Sequence, residues 1–191
     1  MNKPRVGIAL CGSFCTYDKL FSQLISLADK YELVPVMSES AAVTDTRFGA
    51  AGDFVSRLTA LCGAEPVHSI AEAEPLGPAE PMEALIIAPC TGNTMAKINH
   101  GITDTAVTMA AKAHLRNSKP LVIAFSTNDA LSGSAPNIAG LLNRKNVYFV
   151  PFGQDDPVKK PFSMASDFSL IGKTLESALT GKQLQPLLAA H

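Results

Sequence analysis

The stretch Ala84-Leu85-Ile86-Ile87-Ala88-Pro89-Cys90-Thr91-Gly92-Asn93-Thr94-Met95-Ala96-Lys97-Ile98 constrains this chain more than any other. An unbroken apolar run enters a proline, then a cluster of small polar residues, then a helical pattern. A run that is apolar at every position suits a strand covered on both faces, as in a parallel sheet. The polar cluster falls where such a strand ends and the next helix begins. Backbone N–H groups and the positive end of a helix dipole meet there, which is where α/β sheets bind ligands.

The same grammar recurs along the chain. Arg5 to Cys11 reads as a first buried strand, ending in the donor-rich turn Gly12-Ser13-Phe14-Cys15-Thr16. Thr16 or Asp18 is placed to cap the next helix, which keeps Leu20, Leu24, Leu27 and Ala28 at helical spacing. Tyr31 to Met37 is a second strand, which Pro35 assigns to an edge or irregular position; it ends in Ser38-Glu39-Ser40. Ala50 to Cys62 reads as a helix with Phe54, Leu58 and Leu61 on one side. Residues 63 to 83 hold Pro66, Pro75, Gly77, Pro78 and Pro81, and read as an ordered loop with a short strand around Pro66-Val67-His68.

Met95, Ile98, Ile102, Ala106, Met109 and Ala113 keep intervals of three and four, which predicts a helix of about five turns. Gly101 within it marks either close packing or a break. Leu121 to Phe125 is a further buried strand, ending in Ser126-Thr127-Asn128-Asp129. Asn137 to Leu142 reads as part of a helix, Val147 to Val150 as a strand, and Met164 to Leu179 as a closing helix stopped by Gly181. Strands alternating with helices predict an α/β fold, a doubly wound parallel sheet with right-handed crossovers. The polar ends Gly12-Ser13, Ser38-Ser40, Thr91-Asn93 and Ser126-Asn128 then share one edge and can converge.

Composition narrows the function. At 191 residues the chain fits one domain spanning 1–191. A net charge of -1 gives no field that would draw nucleic acid or an anionic membrane, and the absence of Trp argues against a base-stacking platform. No apolar run approaches the roughly 20 residues that span a bilayer. The start Met1-Asn2-Lys3-Pro4-Arg5 lacks a small-residue cleavage site, so a cytoplasmic protein is expected. Cys11, Cys15, Cys62 and Cys90 form no C-x-x-C and match no His or Cys pair, so neither a metal site nor a disulfide framework is expected.

Hydroxyls, amides and backbone N–H groups with few cations suit a phosphate held by neutral donors. The phosphate loop G-x-x-x-x-G-K-S/T is absent, and Gly7 to Ser13 does not spell G-x-G-x-x-G, so a mononucleotide such as a flavin fits better than a dinucleotide. Several residues keep two readings. Asn93 is a ligand contact or a helix cap; Cys90 is a redox thiol at a helix start or a buried small hydrophobe. His68 is an acid/base or a structural hydrogen-bonder, while His100 and His114 read as packing or surface residues. Arg47 and Arg116 suit a dicarboxylate, because guanidinium pairs bidentately with carboxylate. Lys159-Lys160 reads as a solvated pair or a contact to an acidic substrate.

Ile87-Ala88-Pro89-Cys90-Thr91-Gly92-Asn93-Thr94-Met95-Ala96-Lys97 resembles the APxTxNTxxK segment of flavoproteins related to the homo-oligomeric flavin-containing cysteine decarboxylases. Gly101-Ile102-Thr103-Asp104 resembles their GIAD, and Gly12-Ser13 their first phosphate-side turn. Ala73 to Pro78, Ala110 to Asn117, Ser126 to Leu131, Phe149 to Pro157 and Gly181 to Pro186 further resemble a branch of that family serving dipicolinate synthesis in spore-forming bacteria. The resemblance implies a flavodoxin-like Rossmann three-layer sandwich, oligomeric, with a site for flavin mononucleotide (FMN). It implies cofactor contacts at Gly12, Ser13, Ser38, Ser40, Pro89, Thr91, Asn93 and Thr94, and catalytic candidates at Asn128 and His68. It also implies an oxidoreductase role on a small dicarboxylate, dihydrodipicolinate being oxidised to dipicolinate in the mother cell. The A subunit of that dipicolinate synthase would be the partner and would bring NADP. The alternatives are a flavin-dependent decarboxylase of a cysteine-containing substrate and a non-catalytic flavin- or phosphate-binding partner chain. The decarboxylases carry P-x-M-N and H-I-x-L where this chain has Ser126-Thr127-Asn128 and His68-Ser69-Ile70-Ala71, which speaks against that chemistry.

Overall fold

A computed structural model of the protein describes residues 3–77 and 79–189. The N-terminal reading at Met1-Asn2 and the loop reading at Pro78 lie outside the described residues. Five strands run parallel in the order β2-β1-β3-β4-β5: β1 (Arg5–Leu10), β2 (Glu32–Met37), β3 (Ala84–Cys90), β4 (Leu121–Thr127) and β5 (Val147–Phe149). Pro35 does lie on an edge strand. Its carbonyl accepts from the Val67 N–H at 2.9 Å, on the side away from β1, so its missing N–H faces the margin of the sheet. Val67 pairs with Val36 there as the short strand contact expected around it.

Alternation along the strands builds two cores. Val6, Ile8 and Leu10 with Ala84, Ile86 and Ala88 face α1 (Tyr17–Lys30), α3 (Ala51–Cys62) and α8 (Ile171–Leu179). Ala9 and Cys11 with Leu85, Ile87 and Cys90 face α5 (Gly92–His100), α6 (Ala106–Arg116) and α7 (Ala135–Leu142). Every residue of β3 is buried, which is why its sequence shows no polar alternation. In α1 the buried stripe is Leu20, Phe21, Leu24 and Leu27, each contributing roughly 2 kcal/mol by leaving water. The helix after β1 covers one face and the helix after β3 the other. The chain therefore reverses its winding between these two strands, and the crevice of a doubly wound sheet opens at such a reversal.

Three elements depart from the expected pattern. The five-turn helix is two helices: Gly101 adopts φ 72° and closes α5, and Thr105 opens α6 with a capping box to Thr108. Ile102, counted on the apolar stripe, is 48% exposed in the turn between them. Residues 63 to 83 are not all loop, since Ser69 and Glu72 form a capping box that starts α4 (Ile70–Ala73). The closing helix begins at Ile171, not Met164. Met164–Ser166 is a strand, β7, pairing antiparallel with Ser126 and Thr127 of β4 and with β6 (Phe152–Gly153). The Ser166 hydroxyl accepts from the Phe125 N–H at 3.0 Å, a bond that a helical Ser166 would forfeit. No helix of the described residues is long and apolar enough to cross a membrane.

Candidate functional site

The ends of β1, β2 and β3 enclose a cavity of about 450 Å³ at the winding reversal. β3 delivers Thr91, whose hydroxyl caps α5 by accepting from the Thr94 N–H at 3.2 Å and lies 3.0 Å from the Thr94 hydroxyl. Asn93 is therefore relieved of capping: it is exposed at the start of α5 and lines the cavity. β2 delivers Ser38, which accepts from the Ala41 N–H to start α2 (Glu39–Val43), and Ser40 stands 3.3 Å from it. β1 delivers Cys11 and Gly12. A Cβ on Gly12 would sit 3.4 Å from the Thr91 methyl, so the missing side chain keeps the floor open.

Two lining residues come from outside the expected strand ends. Lys97 lies one turn below Asn93 and Thr94 on the same helix face, a spacing visible in the sequence. Its ammonium holds Asp104 at 2.9 Å, and that bond draws the Asp104 carboxyl below its usual range. Thr105 enters only because the chain breaks at Gly101 and folds back. Cys11 forms part of the floor, and burial pushes its thiol up to about 11, although the Thr94 hydroxyl donates to its sulfur at 3.3 Å. Burial also holds the Cys90 thiol well above its ordinary value, so both stay protonated at neutral pH and Cys90 is a spectator, not a redox thiolate.

The fourth strand end meets the others beside the cavity. The Ser13 hydroxyl donates to the Ser126 carbonyl, so Ser13 braces the turn after β1. Gly92 packs against the turn after β4, where Asp129 accepts from the Thr127 and Ser134 hydroxyls and is held below the usual carboxylate range by them, Thr127 foremost. Asn128 does not line the cavity; its side-chain carbonyl accepts from the Ser163 hydroxyl at 3.5 Å. Pro89 is buried within β3 and does not line the cavity; its carbonyl accepts from the Cys11 N–H at 3.2 Å. His68 stands apart: it is exposed beyond the β2 margin, with Nδ1 3.1 Å from the Pro66 carbonyl, and does not line the cavity. Arg47 stacks on Phe48, and Arg116 lies elsewhere, at the C-terminus of α6. His114 is buried with Nε2 2.9 Å from the Pro120 carbonyl, whereas His100 is exposed. Lys160 pairs with Asp155 on the surface.

The donor set fits a phosphorylated ligand. The Ser38, Ser40, Thr91 and Thr94 hydroxyls, the N-terminus of α5 and the Lys97 ammonium converge, with Glu39 as the one carboxylate lining the space among the described residues. Neutral hydroxyls and oriented N–H groups stabilise a phosphate without the desolvation cost of burying several cations.

Known proteins are similar to this chain in sequence and fold. The family model described as Flavoprotein matches residues 1–157. The chain is 46% identical over 188 residues to the B subunit of dipicolinate synthase from Bacillus subtilis (strain 168), covering 98% of this chain and 94% of that protein. The crystal structure of the dipicolinate synthase B subunit from Bacillus halodurans C superposes with a TM-score of 0.90 at 40% identity, over 100% of this chain and 99% of that one. An FMN-dependent cysteine decarboxylase shares the fold with a TM-score of 0.64 at 22% identity, over 92% and 97% of the two chains. With the family model matching most of the chain, and whole-chain likeness behind it, the chain belongs to the Flavoprotein family.

Proposed function

We propose that this chain is the flavin-binding B subunit of a dipicolinate synthase, a single domain acting with an A subunit in the cytoplasm of a sporulating mother cell. The observation that carries the reading is whole-chain identity of 46% to such a protein, in a chain whose strand ends build a polar-rimmed cavity. In the reaction, dihydrodipicolinate loses a hydride and a proton and becomes the aromatic dicarboxylate; NADP on the A subunit accepts the hydride. Likeness to FMN-dependent decarboxylases supports the fold alone, so the decarboxylase alternative gains nothing from it.

FMN, when bound, supplies a two-electron redox centre. The residues that would hold it are Ser38, Ser40, Thr91 and Thr94 through their hydroxyls, Gly12 through an open backbone and Asn93 through its amide. Lys97 offsets phosphate charge and Asp104 fixes where its ammonium stands. Ser13 and Pro89 shape the floor without reaching into it. Asn128 and His68 lie outside the cavity, so roles for them in the reaction require a substrate or partner chain that spans from the cavity to the β4 end or the β2 margin.

The test is co-expression with the A subunit of such a synthase. Joint purification, activity that needs both polypeptides, and an absorption band at ~450 nm in this chain are expected of a flavoprotein component. Full activity of the A subunit without this chain overturns the reading, and a colourless, fully active complex removes the flavin from it.

A further inference from the structure

A second cavity of about 450 Å³ lies at the opposite edge of the sheet, where α5, α6 and α7 end. Lys112, Arg116, Arg144 and Lys145 line it, and among the described residues no carboxylate does. These four cations have no ion pair among the described residues, and unlike Lys3, Lys19, Arg47, Lys159, Lys173 and Lys182, which are also without one, they are gathered around one space. Such a concentration is unexpected in a chain whose net charge is -1.

Neutralising helix dipoles does not account for it. Each helix C-terminus carries about half an elementary negative charge, so three ends offset roughly 1.5 of four positive charges and leave more than two uncompensated. Arg144 shows the division of labour: one of its nitrogens donates to the Ile98 carbonyl at 2.8 Å, closing α5, and the rest of its fork is unspent. Ile98, Ala111 and Leu115 give the cleft an apolar wall, beside the polar groups of Thr103, Thr108, Ser118 and Asn146. Backbone turns fix the rim, with Gly101 at φ 72°, Ser118 at φ 57° and Asn146 at φ 63°.

We infer that this cleft is a second ligand site, built for a small organic dianion with an apolar body. Paired guanidinium and ammonium groups take two carboxylates or a doubly charged head. The aliphatic walls favour a hydrocarbon ring or chain over a bare inorganic anion. The assignment rests on this cleft alone and stands whether or not the other cavity holds a flavin. Helix α5 and the turn 101–105 line both spaces, with Lys97 and Thr105 on one side and Ile98, Gly101 and Thr103 on the other, so a ligand in the cleft touches the element that shapes the first site.

Titration calorimetry of the full chain with isophthalate, benzoate and inorganic phosphate tests it. Saturable isophthalate binding is expected, weakening with added salt, with benzoate and phosphate each about tenfold weaker or worse. Arg116→Gln with Lys145→Gln reduces isophthalate affinity about tenfold or more, while Lys19→Gln with Lys173→Gln, which removes two exposed charges on α1 and α8 outside both cavities, leaves it unchanged. All the substituted side chains are exposed, so folding survives; amide shifts at Gly101, Ser118 and Asn146 on adding isophthalate to the unsubstituted protein give an independent readout. No saturable binding, phosphate binding as tightly as isophthalate, or binding that survives in the cleft variant as well as in Lys19→Gln with Lys173→Gln overturns the assignment.

Discussion

The hydroxyl of Ser13 donates to the carbonyl oxygen of Ser126 over 2.9 Å, tying the turn after β1 to the end of β4 across the intervening strand. Ser13 itself sits at φ 71°, in the left-handed region that costs a residue with a Cβ about 1–2 kcal/mol. Ser13→Ala keeps that cost and loses the bond, so stability should fall by about 1–2 kcal/mol. Ser13→Gly loses the bond but relieves the backbone, and should fall between the two. Urea unfolding of the three proteins checks the order; a glycine variant no more stable than the alanine variant contradicts it.

Gly92 is the residue on which α5 and the turn after β4 close. A Cβ there would overlap the Ser134 hydroxyl and stand 2.9 Å from the Thr127 hydroxyl and 3.2 Å from an Asp129 carboxylate oxygen. Gly92→Ala should cost about 1–3 kcal/mol, the usual range for overpacking a filled site, and should splay the two turns apart. Thermal unfolding reads the loss. Ser134→Ala in the same chain removes the nearest obstruction and should recover part of it.

His114 makes stability depend on pH in a stated direction. It is 1% exposed, with Nε2 2.9 Å from the Pro120 carbonyl, and burial lowers its proton affinity. The unfolded chain takes up a proton near the ordinary value of about 6.5 while the folded chain resists. The stabilising effect is therefore complete above about pH 6.5 and is lost as pH falls toward the folded value. His114→Gln preserves a donor for Pro120 and should flatten the fall of the unfolding midpoint as pH drops below about 6.5. An unchanged slope would show that another group titrates there.

The cysteines should separate by burial. Cys15 is exposed, Cys11 and Cys90 are buried, and Cys62 is partly covered with its thiol pushed up to about 12. Alkylation at pH 8 should modify Cys15 first, with Cys11 and Cys90 reacting only on unfolding. Peptide mass analysis over time checks the order. Fast labelling of Cys11 would mean that the cavity floor opens in solution.

Much of the sheet is legible because a parallel strand covered on both faces must be apolar at every position. That rule alone finds β1, β3 and the first part of β4. Polar residues at the strand ends likewise mark Gly12, Ser38, Ser40, Thr91, Asn93 and Thr94, which do line one cavity. Local signals exist for two missed features, the capping boxes Ser69/Glu72 and Thr105/Thr108, because capping is written within four residues. No local signal exists for β7. Met164–Ser166 keeps a helix-compatible pattern, and pairing with Ser126 and Thr127 on one side and with Phe152 and Gly153 on the other makes it a strand.

The winding of the sheet and the polar edge where its strands end are written in the amino-acid order, since both follow from burial at each position and from residues beside one another. Which polar residues share a space is settled by packing. Packing turned Ser13 inward to Ser126, set Asn128 and His68 outside the cavity, and brought Lys97 and Thr105 into it. It also gathered Lys112 and Arg116 of α6 and Arg144 and Lys145 of the turn after α7 around one cleft. The physical reason is that helix directions and breaks, such as the left-handed turn at Gly101, are fixed by contacts between distant segments, and side-chain charge is felt only across the distances that those contacts create.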